Sequence, residues 1–206
     1  MPSYRERVGR HSGQSPGRVR IAEDDDLEQI ADIETRADEV FSVDVVAQLP
    51  PSKNSPESLR EAAVVLVAGR PAVGFARVDV VDGLAHLEQL GVLPEDTRMG
   101  IGGELVEAAC RWAADQGLRA ITLITFADVP SNAPFYAARG FRDIDQLTPG
   151  LAELRDWERD LGLDRVGRRV VMRRDLGAPP PEPSAGSPVV AGFAPVPRSP
   201  APLSAT

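Results

Sequence analysis

Seven consecutive residues, Thr97-Arg98-Met99-Gly100-Ile101-Gly102-Gly103, carry the strongest chemical signal in the chain. They follow a segment of alternating polarity that ends at Pro94, and they open directly into an amphipathic stretch. Gly100, Gly102 and Gly103 let the main chain approach a ligand with no Cβ in the way. A turn of this kind at the start of a helix aims several backbone N–H groups and the positive end of the helix dipole at one point. That is the make-up of a diphosphate site built from main chain.

Two titratable side chains precede the turn. By the period of two of a strand, Leu84, His86, Glu88, Leu90 and Val92 share one face. A Glu and a His among apolar neighbours on a central strand are costly to bury without a purpose or a partner. A partly desolvated carboxylate has a raised pKa and can take a proton. The plain alternative is a Glu88 paired with an arginine or facing water, and a His86 that only makes a structural hydrogen bond. Cys110 falls mid-helix with no His near it in sequence, the pattern of a buried structural thiol. One Cys and two His, one of them His11 in a polar tail, do not build a metal site.

The elements that must position these residues follow from pattern. Arg18 to Ile21 alternates as a first strand. Asp24 to Asp26 offer an N-cap before Leu27, Ile30, Ile33, Ala37 and Val40 at helical spacing, with acids on the opposite face. Pro50-Pro51 breaks the chain, and Ser55-Pro56-Glu57-Ser58 starts a short helix. Strands are expected at Val64 to Ala68, Ala72 to Val81 and Leu84 to Val92, with Asp82-Gly83 as the hairpin turn between the last two. A helix from Gly100 to Gly117 buries Ile101, Leu105, Ala108, Ala109 and Trp112. Then come a central strand at Ala120 to Thr125, a short helix that Asn132 can cap, a strand from Phe141, a helix from Pro149 to Leu161, and a last strand around Val170 to Met172. The expected fold is α/β: a central mixed, mostly antiparallel sheet of six to seven strands with helices on both faces.

The pair Phe135-Tyr136, three residues, then Gly140-Phe141, taken with the glycine turn and Asn132-Ala133-Pro134, resembles the GNAT superfamily of N-acetyltransferases. The element order is also that family's, and the resemblance spans residues 18–176, most densely between 84 and 141. It implies acetyl-coenzyme A as co-substrate. The diphosphate would rest on the main chain of Thr97, Arg98, Met99, Gly100, Ile101, Gly102 and Gly103. The pantetheine arm would run beside Leu90, Gly91 and Val92, with Gly91 at a bulge that leaves backbone groups to bond its amides. Asn132 and Phe135 would contact the cofactor. Glu88 would take the proton of the incoming ammonium, directly or through water, with His86 as an alternative, and Tyr136 would protonate the departing thiolate. Two departures stand out. Thr97 occupies a position where the family carries Gln or Arg, and Asn132 lies four residues before Tyr136 where many members place such an Asn seven before. The function implied is an N-acetyltransferase moving an acetyl group to a primary amine by direct transfer in a ternary complex. The alternatives are a catalytically inactive acyl-CoA-binding sensor or scaffold, and an adaptor recruiting partners through its Pro-rich tail.

Composition sets the outer limits. Residues 1–17 are polar and 177–206 rich in Pro, Ser, Ala and Gly, too poor in apolar surface to offset ordering entropy, so both are expected to be disordered tails around one domain at 18–176. The chain carries −8 overall; the first 17 residues hold +2 and the last 30 are neutral, leaving −10 on the body. An acidic body argues against nucleic-acid binding. It suits a cationic acceptor, a small-molecule or peptide amine, and the acids around Glu34, Asp38 and Asp44 point the same way. No apolar run is long enough for a membrane span and no apolar segment follows the N-terminal arginines, so a cytoplasmic protein is expected, monomeric or homodimeric.

Overall fold

The computed structural model describes residues 19–37 and 54–177. The expected tails, His11, Arg18, Asp38, Val40, Asp44 and the Pro50-Pro51 break lie outside the described residues. Strand β1, Val19–Ile21, leads into helix α1, Asp24–Ala37. Asp26, in its first turn, accepts a hydrogen bond from the Glu23 backbone N–H at 2.8 Å and both terminal nitrogens of Arg20 at 2.6 and 2.7 Å. The third acid of the expected trio thus closes the helix start from within. Helix α2, Pro56–Arg60, is capped by the Ser55 hydroxyl, which accepts from Ser58 N–H.

Three antiparallel strands follow: β2, Val64–Ala68; β3, Gly74–Val81; and β4, Leu84–Val92. A short turn of 3₁₀ helix at Pro94–Asp96 carries the chain to helix α3, Ile101–Asp115. Strand β5, Ala120–Phe126, then lies parallel to β4. Helix α4, Ala133–Ala137, strand β6, Arg142–Asp143, helices α5, Pro149–Asp160, and α6, Leu163–Val166, and strand β7, Arg169–Asp175, complete the described chain. The seven strands form one sheet in the order β1-β2-β3-β4-β5-β7-β6, mixed and mostly antiparallel, as expected. Strand β6 is shorter than its pattern suggested, β7 longer, and α6 had no clear signal.

Both faces are covered. Helix α3 lays Ile101, Leu105, Val106, Ala109, Cys110 and Ala113 on Val64, Leu66, Ala76, Val78, Ala85 and Leu87. On the other face Leu27, Ile30, Ile33 and Leu59 of α1 and α2 cover Val65, Val67 and Phe75. Ala108 and Trp112, expected in the buried stripe, pack only at the margin of that core. Helix α5 seats Leu151 and Leu154 on Val81 and Val171. Its start is held by Asp82, at the tip of the β3–β4 hairpin, whose carboxylate accepts from Gly150 N–H at 2.7 Å.

The register of β4 corrects one expectation. Gly91 sits in regular pairing opposite Phe75, and the break in register falls between Leu87 and Gln89, so Glu88 is the extra residue. Gly91 is needed for another reason: a Cβ there would lie 2.7 Å from the Phe75 ring. The bulge changes the parity of the strand. Ala85 and Leu87 before it, and Leu90 and Val92 after it, all face α3. Leu84, His86, Glu88, Leu90 and Val92 therefore do not share a face, because unbroken alternation would have turned either Leu87 or Leu90 away from the core.

Candidate active site

The site begins where two strands part. The parallel ladder between β4 and β5 consists of Ala85 with Ile121 and His86 with Thr122. Beyond that rung the strands diverge, and a cleft of about 870 Å³ opens between them. Leu87 to Val92 line it from β4 and Leu123 to Phe126 from β5. Its far end is closed by the glycine turn and by α4, with Asn132, Phe135 and Tyr136.

The turn has the backbone of an anion cradle. Arg98 and Gly100 are both left-handed, with φ of +66° and +86°, and Gly100 is the N-cap of α3. Alternation of left-handed residues with ordinary ones turns successive N–H groups toward one side, and the first turn of the helix adds its own N–H groups. Thr97 does not reach for a ligand with its hydroxyl, which donates to the Pro94 carbonyl at 2.7 Å and fastens the turn to the end of β4. Met99 is half exposed and does not line the cleft, unlike the other expected cofactor residues.

Helix α4 packs directly on this turn. Phe135 lies against Gly102, and the Arg139 guanidinium stacks 3.7 Å from the Phe135 ring centroid while donating to the Phe135 carbonyl at 2.8 Å. A Cβ on Gly103 would come within 2.7 Å of the Arg139 terminal nitrogen. The glycine thus leaves room for a cation beside the anion cradle. Sequence reasoning missed Arg139. Its signal was an arginine one helical turn after Phe135, meaningful only once α4 is known to sit on the glycines. Asn132 occupies the N-cap position of α4, yet its side chain makes no capping bond. It leaves the cap role open and lines the cleft instead.

Glu88 and Tyr136 enter the cleft from different walls. Glu88, on the bulge, is about one-fifth exposed and its carboxylate lies 3.7 Å from His86 Nε2. Tyr136 is half-buried, with Phe135 and Phe141 packed edge-on at 5.1 and 5.7 Å. That desolvation pushes its phenol well above the ordinary tyrosine range, so it keeps its proton. Glu34 is a second surprise. It was expected on an acidic face suited to a cationic acceptor, and it is buried at the cleft wall, accepting from Gln89 at 2.6 Å and Asn54 at 3.0 Å. The opposite wall comes from the α5–α6 region, where Trp157 and Leu163 line the opening and Glu158 bridges Arg155 and Arg169. Among the described residues no cluster of His, Cys, Asp and Glu is placed to hold a metal, and no helix is long and apolar enough to cross a membrane.

Comparison with known proteins decides the lineage. Residues 27–141 match the model of the acetyltransferase (GNAT) family, more than half of the chain. The chain belongs to that family. Solved GNAT-type structures share its fold at low identity. An N-acetyltransferase, PaiA, of Thermoplasma acidophilum, in complex with coenzyme A, is 18% identical over 76% of this chain and 97% of its own, with a TM-score of 0.57. A GNAT acetyltransferase of Staphylococcus aureus gives a TM-score of 0.60 at 15% identity, covering 77% and 98%. The ribosomal-protein-S18-alanine N-acetyltransferase of Escherichia coli gives 0.53 at 18% identity, covering 81% and 98%. The strand order, the parting of β4 and β5 and the glycine turn are the GNAT fold in this chain.

Proposed function

We propose that this protein transfers an acetyl group from acetyl-coenzyme A to a primary amine by direct transfer in a ternary complex. The observation that carries the reading is the cleft at the β4–β5 parting, which joins an anion cradle to a carboxylate on one wall and a phenol on the other. A cleft of about 870 Å³ suits the pantetheine and diphosphate of the co-substrate. The thioester supplies an activated acyl group; this chain's residues bind, orient and move protons.

The N–H groups of residues 98–103 hold the diphosphate, and Arg139 adds a positive charge beside it. The edge of β4 at Leu90, Gly91 and Val92, not laddered to β5, bonds the pantetheine amides. A backbone N–H of the same stretch stabilises negative charge as it develops on the thioester oxygen. Phe135 and Asn132 flank the chain of the co-substrate. The acceptor comes from the side bounded by Glu34, Asn54 and Trp157. Glu88 accepts a proton from its ammonium, leaving a lone pair that forms the new C–N bond. Tyr136 donates its proton to the sulfur as the C–S bond breaks. Its phenol is a weak acid, but a thiolate emerging in the same desolvated cleft is a stronger base than in water. The phenolate then takes up the second proton, which the nitrogen sheds as the amide forms, and the proton on Glu88 returns to solvent.

Calorimetry with acetyl-coenzyme A, followed by thiol release with a panel of primary amines, tests the reading. Saturable binding and amine-dependent release of free thiol are expected. Binding without release for any amine would make the protein a sensor or scaffold, and no binding at millimolar co-substrate would remove the reading altogether.

A further inference from the structure

We infer that His86 is held as its Nδ1–H tautomer by Thr122, and that its Nε2 is the site to which Glu88 passes the proton it removes. This rests on the reading of Glu88 as the base. The starting point is the last rung of the parallel ladder. Thr122 is fully buried and His86 nearly so. The Thr122 hydroxyl lies 3.1 Å from the Ala85 carbonyl and 2.9 Å from His86 Nδ1.

A hydroxyl has one proton to give. Donated to the ring, it would leave two buried oxygens facing each other at 3.1 Å with no proton between them. Donated to Ala85, it leaves the Thr122 oxygen as an acceptor, and Nδ1 must carry the hydrogen. The neutral ring then presents a lone pair on Nε2, and this atom faces Glu88 at 3.7 Å. Among the described residues, the charged groups nearest the ring include Glu88 on its own strand and Asp79 opposite it on β3, where Arg77 engages the carboxylate.

The tautomer decides what Glu88 can do. With Nε2–H, the ring would donate to the carboxylate, weaken it as a base and offer nowhere for a second proton. With Nδ1–H, the carboxylate accepts the proton of the acceptor ammonium and hands it to Nε2, leaving an imidazolium–carboxylate pair and a neutral amine. The separation must close to ~2.8 Å, or be bridged by one water, as catalytic contacts do on substrate binding. The imidazolium returns the proton to water as product leaves. Thr122 touches no reacting atom and is a positioning residue; His86 meets the substrate only through Glu88, as the holder of its proton.

The test reads the ring itself. The chain has two histidines, so a long-range ¹H–¹⁵N correlation spectrum of the full-length protein contains two ring systems, assigned by their loss in His86→Gln. The neutral His86 ring is expected to show a protonated Nδ1 and a bare Nε2. Thr122→Val should move it toward the Nε2–H form and lower turnover about tenfold with KM for acetyl-coenzyme A unchanged. Thr122→Ser, which keeps the hydroxyl, should recover the tautomer and most of the rate. In a Glu88→Gln background Thr122→Val should cost nothing further. A wild-type ring in the Nε2–H form overturns the inference whatever the activity. So does undiminished turnover by Thr122→Val. A wild-type protein that keeps the Nδ1–H ring yet transfers acetyl to no amine instead overturns the functional reading, and the proton-holding role with it.

Discussion

Under the proposed transfer, the phenol of Tyr136 is the group whose removal separates chemistry from binding. Tyr136→Phe keeps the ring contacts with Phe135 and Phe141 and deletes the proton, so turnover should fall about 100-fold while acetyl-coenzyme A affinity stays unchanged. Steady-state thiol release and calorimetry on the same preparation check both halves; equal turnover would remove the assigned role. Glu88→Gln should depress the rate most at low pH, where more of the acceptor is ammonium, and a rate–pH profile parallel to wild type would move the base elsewhere. That Glu88 and Tyr136 would meet in one cleft could be anticipated from the sequence because each breaks a local expectation, a carboxylate in an apolar strand and a tyrosine in a recognisable spacing. Arg139 and the buried position of Glu34 could not. Their significance depends on contacts across 36 and 55 residues, which no periodicity encodes. Cys110, read as structural, is buried with its thiol pushed up to about 11 by desolvation, well away from reactive chemistry.

The turn between β4 and α3 works because α4 is built against it. Gly103→Ala would press on the far end of the Arg139 side chain, which can swing away, and not on backbone. Folding stability should therefore change little while affinity for acetyl-coenzyme A weakens several-fold. Thermal unfolding without ligand, beside calorimetry with it, checks this; a large loss of stability would mean that the guanidinium is locked in place by more than the glycine's empty space. Element types were largely readable from pattern, since strands of period two and capped amphipathic helices announce themselves. The bulge was not. Gly91 has the composition of a bulge site, yet Phe75 claims it for a ring-on-backbone contact, and the register breaks at a glutamate. Bulge placement is set by what the opposite strand and α3 require, a tertiary demand that overrides the local preference for glycine.

Across the whole molecule, the acidic charge is less diffuse than its total suggests. Asp26 is tied to Arg20 and to the Glu23 N–H, and the guanidinium hydrogen bonds hold its carboxyl below the usual carboxylate range. A depressed folded-state pKa contributes stability that is present above the unfolded value, about 3.9, and is lost as pH falls through the folded one. Asp26→Asn should cost about 2 kcal/mol at neutral pH, lowering Tm by roughly 5 °C, and the gap should narrow below about pH 4. Thermal scans across pH check it; a gap independent of pH would assign the loss to packing. The order of the seven strands was readable as a fold class, but the chain between β6 and β7 was not, because α5 and α6 carry the generic signs of any surface helix pair. What fixes them is the tip of the β3–β4 hairpin. Asp82, itself left-handed at φ +50°, accepts from Gly150, and that glycine has no room for a side chain against Val81 and Asp82. A tight turn at the far end of the sheet is therefore also the hinge pin of the panel bearing Trp157. Insertions or trimming at Asp82-Gly83, ordinarily harmless on a surface loop, would loosen that panel and, under the proposed transfer, change acceptor KM in a thiol-release assay without touching a single atom inside the cleft.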